Sequence, residues 1–170
     1  MIREHVTHTF APVYDKYSEI LILGSFPSVK SREENFYYGH PKNRFWKVMA
    51  AVLACEVPNT IEEKKQMLLS HSVAVWDVIA SCEIEGSSDS SIKNVIVNDF
   101  SKILETADIK CIFANGKTAG KLYQKYVREK TGREIVILPS TSPANAACSF
   151  EQLVQEYGKI RDWKSAGNKV

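Results

Sequence analysis

The sequence predicts an α/β protein built on a parallel sheet covered on both faces. Two observations predict it. Short apolar runs alternate with helical patterns along the chain, the order that gives parallel pairing and helices on either side. The chain also has 170 residues, 44% of them apolar, enough for one core and one domain spanning residues 1–170.

The four apolar runs are Glu19–Gly24, Ser72–Asp77, Lys110–Asn115 and Glu134–Pro139, each short enough to be a strand. Helical patterns separate them. The first covers Lys42–Ala54, with Phe45, Val48, Met49, Val52 and Leu53 on one side. The second starts at Thr60, where Glu63 offers a capping box. A third spans about Asn98–Glu105. A fourth runs from Lys117 to Lys130 and meets a stop signal at Gly132. The last starts at Ser149, with Gln152 as its box partner, and continues to about Lys164; residues after Ser165 are expected to fray. Gly86–Ser91 reads as a polar surface loop. No internal repeat or linker is visible.

Composition narrows the function classes. The net charge of +2 does not mark a strong nucleic-acid binder, and it leaves room for a local positive face. No run is long enough to cross a bilayer, and MIREHVTHTF lacks the apolar stretch of a signal peptide, so a cytoplasmic location is expected. Cys55, Cys82, Cys111 and Cys148 are far apart, without a C-x-x-C pair, and are expected to be buried free thiols. His5 and His8 are close enough in sequence to share a metal, but nothing nearby completes a site. No metal and no cofactor are expected.

If the strands are parallel, the segments after them share one edge. These are Gly24-Ser25-Phe26-Pro27-Ser28, Asp77, Asn115-Gly116-Lys117 and Pro139-Ser140-Thr141-Ser142-Pro143. Ligands bind in the crevice at such an edge. The connection from Gly24 to Asn43 reads as a loop of about 18 residues, and loops of that length in compact domains tend to be functional. It carries Tyr37 and Tyr38, whose faces suit stacking on a base. Asn43 opens a helical pattern, and its carboxamide offers a donor and an acceptor. Ser140, Thr141 and Ser142 suit phosphate oxygens.

Other chemistries fit less well. Asn115-Gly116-Lys117-Thr118 resembles the end of a phosphate-binding loop, but Cys111 stands where that loop needs its first glycine. Ser25 or Ser28 with His40 lacks the nucleophile-elbow pattern and a nameable orienting acid.

Gly24-Ser25-Phe26-Pro27-Ser28, then Tyr38-Gly39-His40-Pro41-Lys42-Asn43-Arg44-Phe45-Trp46, then Leu138-Pro139-Ser140-Thr141-Ser142-Pro143, resemble the signature of the uracil-DNA glycosylase superfamily. Among its branches they are most similar to the hypoxanthine-DNA (deoxyinosine) glycosylases. The mismatch-specific uracil/thymine enzymes come next. The likeness covers nearly the whole chain, including the approach from His8 to Tyr14.

The resemblance implies a three-layer sandwich with a central four-stranded parallel sheet and a flipped, deaminated base held near the strand ends. It implies a monofunctional DNA glycosylase of base excision repair. The expected base is hypoxanthine, with uracil and xanthine as further candidates. A uracil/mismatch enzyme and a non-catalytic binder of deaminated DNA are the alternatives. A monomer acting on DNA, with no membrane partner, is expected.

By the same resemblance Asn43 is the catalytic residue. Gly24, Ser25, Phe26, Tyr38 and Asp77 surround the base. Tyr38 stacks on it through its ring rather than its hydroxyl, and Asp77 reads its edge. From their own chemistry, hydroxyl and N–H groups or charge at the same edge, Ser28, Ser140, Thr141, Ser142 and Lys117 are expected to hold phosphates. Pro143, Ala144 and Asn145 stand where other branches carry a bulky wedge. The water-activating acid or amide that relatives carry in the first motif is missing, because Phe26 occupies that place.

Overall fold

A computed structural model describes residues 2–167 of the chain, and side chains through residue 163. In chain order the strands are β1 (Arg3–Thr7), β2 (Ile20–Gly24), β3 (Val73–Asp77), β4 (Ile79–Glu85), β5 (Lys93–Val97), β6 (Cys111–Asn115) and β7 (Val136–Leu138). The helices are α1 (Val29–Glu34), α2 (Phe45–Leu53), α3 (Ile61–Ser70), α4 (Ser101–Thr106), α5 (Lys117–Tyr126), α6 (Arg128–Thr131), α7 (Phe150–Tyr157) and α8 (Lys159–Gly167). All four expected strands are present. They form one parallel sheet in the order β3-β2-β6-β7.

Successive side chains of a strand face opposite ways, and here the two sets enter two cores. Ile20 and Ile22 of β2 join Val73, Val75, Phe113 and Leu138 under α2, α3, α7 and α8. Leu21 and Leu23 join Ala74, Ile112 and Ala114 under α4 and α5. Every residue of β2 is buried. This is why its sequence is an unbroken apolar run rather than an alternating one.

The register sets the functional edge. Gly24 lies beside Asp77, and Asn115 lies beside Leu138. The four C-terminal strand ends therefore line up, as the parallel arrangement predicts.

Several expectations are corrected. A second, antiparallel sheet, ordered β1-β4-β5, follows from the chain leaving the parallel sheet at Asp77 and continuing as β4. The connection after Gly24 is not wholly irregular, because Ser28 caps the short helix α1. The pattern from Lys117 to Lys130 divides into α5 and α6 before Gly132, which takes the left-handed conformation. The last pattern divides at Gly158 into α7, with its full capping box, and α8. Helix α8 continues past Ser165 to Gly167; the rest of the expected frayed end, residues 168–170, lies outside the described residues. Cys82 is buried as expected, but Cys55 is exposed.

Candidate active site

A cleft of about 1290 Å³ opens at the strand ends. It is lined by the first motif, the Tyr37–Asn43 turn, Asp77, Asn115 and the Ser140–Cys148 loop. Among the candidate residues, Gly24, Ser25, Phe26, Ser28, Tyr38, Asn43, Asp77, Lys117, Ser140, Thr141, Ser142, Pro143, Ala144 and Asn145 all border it.

Asn43 is fixed by two donors. Its Oδ1 accepts from the Phe45 N–H at 2.9 Å and from the Thr141 hydroxyl at 2.8 Å. A backbone N–H only donates, so the accepting atom must be the amide oxygen. That leaves the Nδ2 donors without a protein partner among the described residues. Asn115 holds Thr141 in turn: its Nδ2 donates to the Thr141 hydroxyl at 2.9 Å, and its Oδ1 accepts the Thr141 N–H at 3.0 Å. The result is one chain of amides and hydroxyls, Asn115–Thr141–Asn43.

Thr141 is fully buried, with hydroxyl and N–H both engaged, so it cannot hold a phosphate. Its place is structural: it aims Asn43. Arg44 closes the same junction. Its backbone N–H donates to the Thr141 carbonyl at 3.1 Å. Its guanidinium donates to the carbonyls of Cys148 at 2.6 Å and Asn145 at 3.0 Å. The sequence places Asn115 at the crevice edge and Arg44 in the long motif, but assigns neither a role. The signal for Arg44 was its position directly after Asn43.

At the floor, Asp77 is buried and its Oδ2 lies 2.8 Å from His8 Nε2. The two side chains are 5% and 3% exposed, so this pair is out of water. His8 follows β1, in the second sheet, and contacts the rings of Phe10, Phe26 and Tyr37. In the sequence it stands near His5 as a candidate metal ligand and opens the approach segment to Tyr14; His5 itself is exposed. Asp77 Oδ1 packs over Gly24 so closely that a Cβ there would come within 2.5 Å of it. Glycine at position 24 is what allows this approach.

Tyr38 sits at φ 53°, a left-handed conformation uncommon for an aromatic residue. Its ring stacks on Phe45 with centroids 4.0 Å apart, so one face is already covered. Burial raises its pKa well above the usual tyrosine value; the Asp77 charge adds to the rise, and Asn115 nearby offsets part of it. Its hydroxyl is buried: the Asn115 amide lies on the oxygen, and no acceptor among the described residues takes the hydroxyl proton.

The polar Gly86–Ser91 loop is part of the site rather than distant surface. Asp89 lies on an exposed turn, yet its carboxyl turns inward and accepts from the Ser25 hydroxyl at 3.0 Å. Partial burial raises its pKa above the usual carboxylate value.

On the rim, Ser140 Oγ accepts from the Ser142 N–H, and Ser142 Oγ accepts from the Ala144 N–H. Neither hydroxyl proton has an acceptor among the described residues. Gly116, at φ 101°, lets Ser140 pack against the start of α5. Lys117 is exposed there. The Ser28 hydroxyl is engaged with Ser31, as the cap of α1. Pro143 and Ala144 are exposed at the loop tip. Asn145 instead turns back, its Nδ2 donating to the Ser140 carbonyl at 3.0 Å, so its side chain does not project from the loop tip.

The profile of the Uracil DNA glycosylase superfamily matches residues 11–159. The chain belongs to that superfamily. It is 39% identical over 138 residues to a hypoxanthine DNA glycosylase of Methanosarcina acetivorans, covering 80% of this chain and 86% of the relative. It is 36% identical, with the same coverage, to a hypoxanthine DNA glycosylase of Methanosarcina barkeri. A solution structure of a candidate uracil DNA glycosylase from Methanosarcina acetivorans superposes with a TM-score of 0.75 at 33% identity. That match covers 89% of this chain and 96% of the other. The superfamily acts on damaged bases in DNA, and such DNA is the substrate of this glycosylase. No helix among the described residues is long and apolar enough to cross a membrane.

Proposed function

We propose that this DNA glycosylase removes hypoxanthine from DNA by hydrolysing its N-glycosyl bond. The observation that carries the reading is the buried Asp77 carboxylate, with one oxygen held by His8 and the other directed at the cleft floor over Gly24. An ionised carboxylate only accepts hydrogen bonds. Hypoxanthine presents an N1–H donor there, whereas adenine presents an acceptor and is repelled. The names of the two Methanosarcina relatives support the same substrate.

The target atom lies inside the base stack, so the nucleotide must be extruded into the cleft. Bond cleavage puts positive charge on the sugar and negative charge on the base. An oxocarbenium-like sugar needs a placed water more than a strong base. Asn43, its oxygen anchored by Phe45 and Thr141, offers Nδ2 donors to hold that water. Ser140, Ser142 and Lys117 on the rim suit the flanking phosphates.

The test is a panel of labelled oligonucleotides carrying one deoxyinosine, deoxyuridine or deoxyxanthosine, single- and double-stranded, with alkali to cut at abasic sites. Scission at deoxyinosine is expected. Asp77→Asn should lower it while leaving non-specific DNA binding unchanged. A mobility shift without scission would mean binding alone. Faster scission at uracil would move the enzyme to the uracil branch, because uracil offers the same N–H.

A further inference from the structure

One polar atom on the cleft floor stands out. The Tyr38 hydroxyl is fully buried, and its proton has no acceptor among the described residues. Proteins seldom leave such a group unsatisfied without a role for it. Its backbone is in the left-handed region, and sterically costly conformations gather at ligand sites. The ring is clamped: Phe45 covers one face, and Trp46 stands edge-on at 6.4 Å. The hydroxyl is therefore held in place rather than free to swing.

Its place is specific. A Cβ on Gly24 would stand 2.5 Å from Asp77 Oδ1 and 3.2 Å from the Tyr38 hydroxyl. The two oxygens thus converge on one spot that only glycine leaves bare. One is an acceptor, and the other is a hydroxyl with no acceptor for its proton.

We propose that Tyr38 Oη–H and Asp77 Oδ1 act as one donor–acceptor pair that reads the lactam edge of the flipped base, with His8 as the residue that positions Asp77. The pair rests on the reading of the cleft as a hypoxanthine site. The N1–H of hypoxanthine donates to Asp77 while its O6 accepts from Tyr38. Uracil satisfies both groups through N3–H and O4. Adenine and cytosine oppose an acceptor to Asp77 and turn an amino group toward the hydroxyl. Guanine satisfies both groups, so its rejection falls to its 2-amino group and its stronger pairing. As the bond breaks, negative charge grows on O6, and a donor aimed at it strengthens. Tyr38 thereby supplies what an acceptor-only carboxylate lacks. His8 holds Asp77 Oδ2 at 2.8 Å, which leaves Oδ1 to face Gly24.

The test compares single-turnover release of hypoxanthine from deoxyinosine with release of purine from deoxynebularine, which lacks both O6 and N1–H. Tyr38→Phe should lower hypoxanthine release by roughly 10- to 100-fold more than purine release, the scale of one hydrogen bond to developing charge. Its melting temperature should change little, because the lost hydroxyl proton had no acceptor among the described residues. His8→Ala should shift the same substrate ratio in the same direction. His8→Gln, which keeps an N–H near Asp77, should restore it. Equal losses on both substrates, or no loss on either, would overturn the proposal. Binding to a duplex with a non-cleavable 2′-fluoroarabino-inosine provides a second readout. If wild type releases no hypoxanthine, the proposed activity falls, and the pair still stands or falls by whether Tyr38→Phe abolishes preference for that duplex over its adenine counterpart.

Discussion

Replacing Asn43 by alanine or by aspartate separates what its two ends do. The oxygen end is structural. Alanine removes the acceptor for the Phe45 N–H, a helix-start contact whose loss typically costs about 1 kcal/mol. It also strands the Thr141 hydroxyl, which is fully buried, and an orphaned buried donor costs about 1–3 kcal/mol. Asn43→Ala should therefore destabilise by about 2–4 kcal/mol, more than a cap alone. Aspartate keeps both accepted bonds, so its folding cost should be small. The nitrogen end is functional. Both variants lose the Nδ2 donors, and each should slow base release by roughly 100-fold or more, the scale of losing one preorganised polar group. The assay is single-turnover excision from a deoxyinosine duplex with enzyme in excess, read as alkali-labile scission. Chemical denaturation of the same proteins measures the folding cost. If Asn43→Asp matched or exceeded wild type, the carboxamide would act by accepting and the donor role would be refuted. Full activity in folded Asn43→Ala would remove Asn43 from the chemistry altogether.

Two further outcomes follow from the rest of the cleft. Arg44→Ala should release the Cys148 and Asn145 carbonyls, and hydrogen bonds to a charged group contribute about 1.5–3 kcal/mol each. Lower stability and a higher KM for DNA are expected together, and an unchanged KM would mean that the Ser140–Cys148 loop does not need this clamp. Asp89 has a raised folded pKa, so burial of its charged form lowers stability as pH rises from the unfolded carboxylate value through the folded one. Asp89→Asn should be more stable than wild type at pH 7, with the gain vanishing below the unfolded pKa. An equal difference in denaturation midpoint at pH 3 and pH 7 would contradict this.

The sequence by itself determined the parallel sheet, because strands buried on both faces must be apolar at every position, as in Ile20–Leu23. It determined the edge that carries the site, because parallel strands bring their C-terminal ends together. It also carried the motif residues Tyr38, Asn43 and Ser140–Ser142. The antiparallel sheet was hidden because β1 and β5 have no buried residue, and the short apolar run Val95-Ile96-Val97 sits beside polar residues. Their pairing with β4 joins residues as distant as Arg3 and Glu85. Only the tertiary structure decided which polar groups meet. His8 and Asp77 are 69 residues apart, one just after β1 of the second sheet and the other at the end of β3 in the first, so no local pattern links them. Thr141 reads as a phosphate contact in a serine-rich turn, but the fold buries it between Asn43 and Asn115. Asp89 reads as a surface residue until the β4–β5 turn brings it to Ser25. Local pattern reports which faces an element buries; hydrogen-bond partners across a cleft depend on where whole elements are placed.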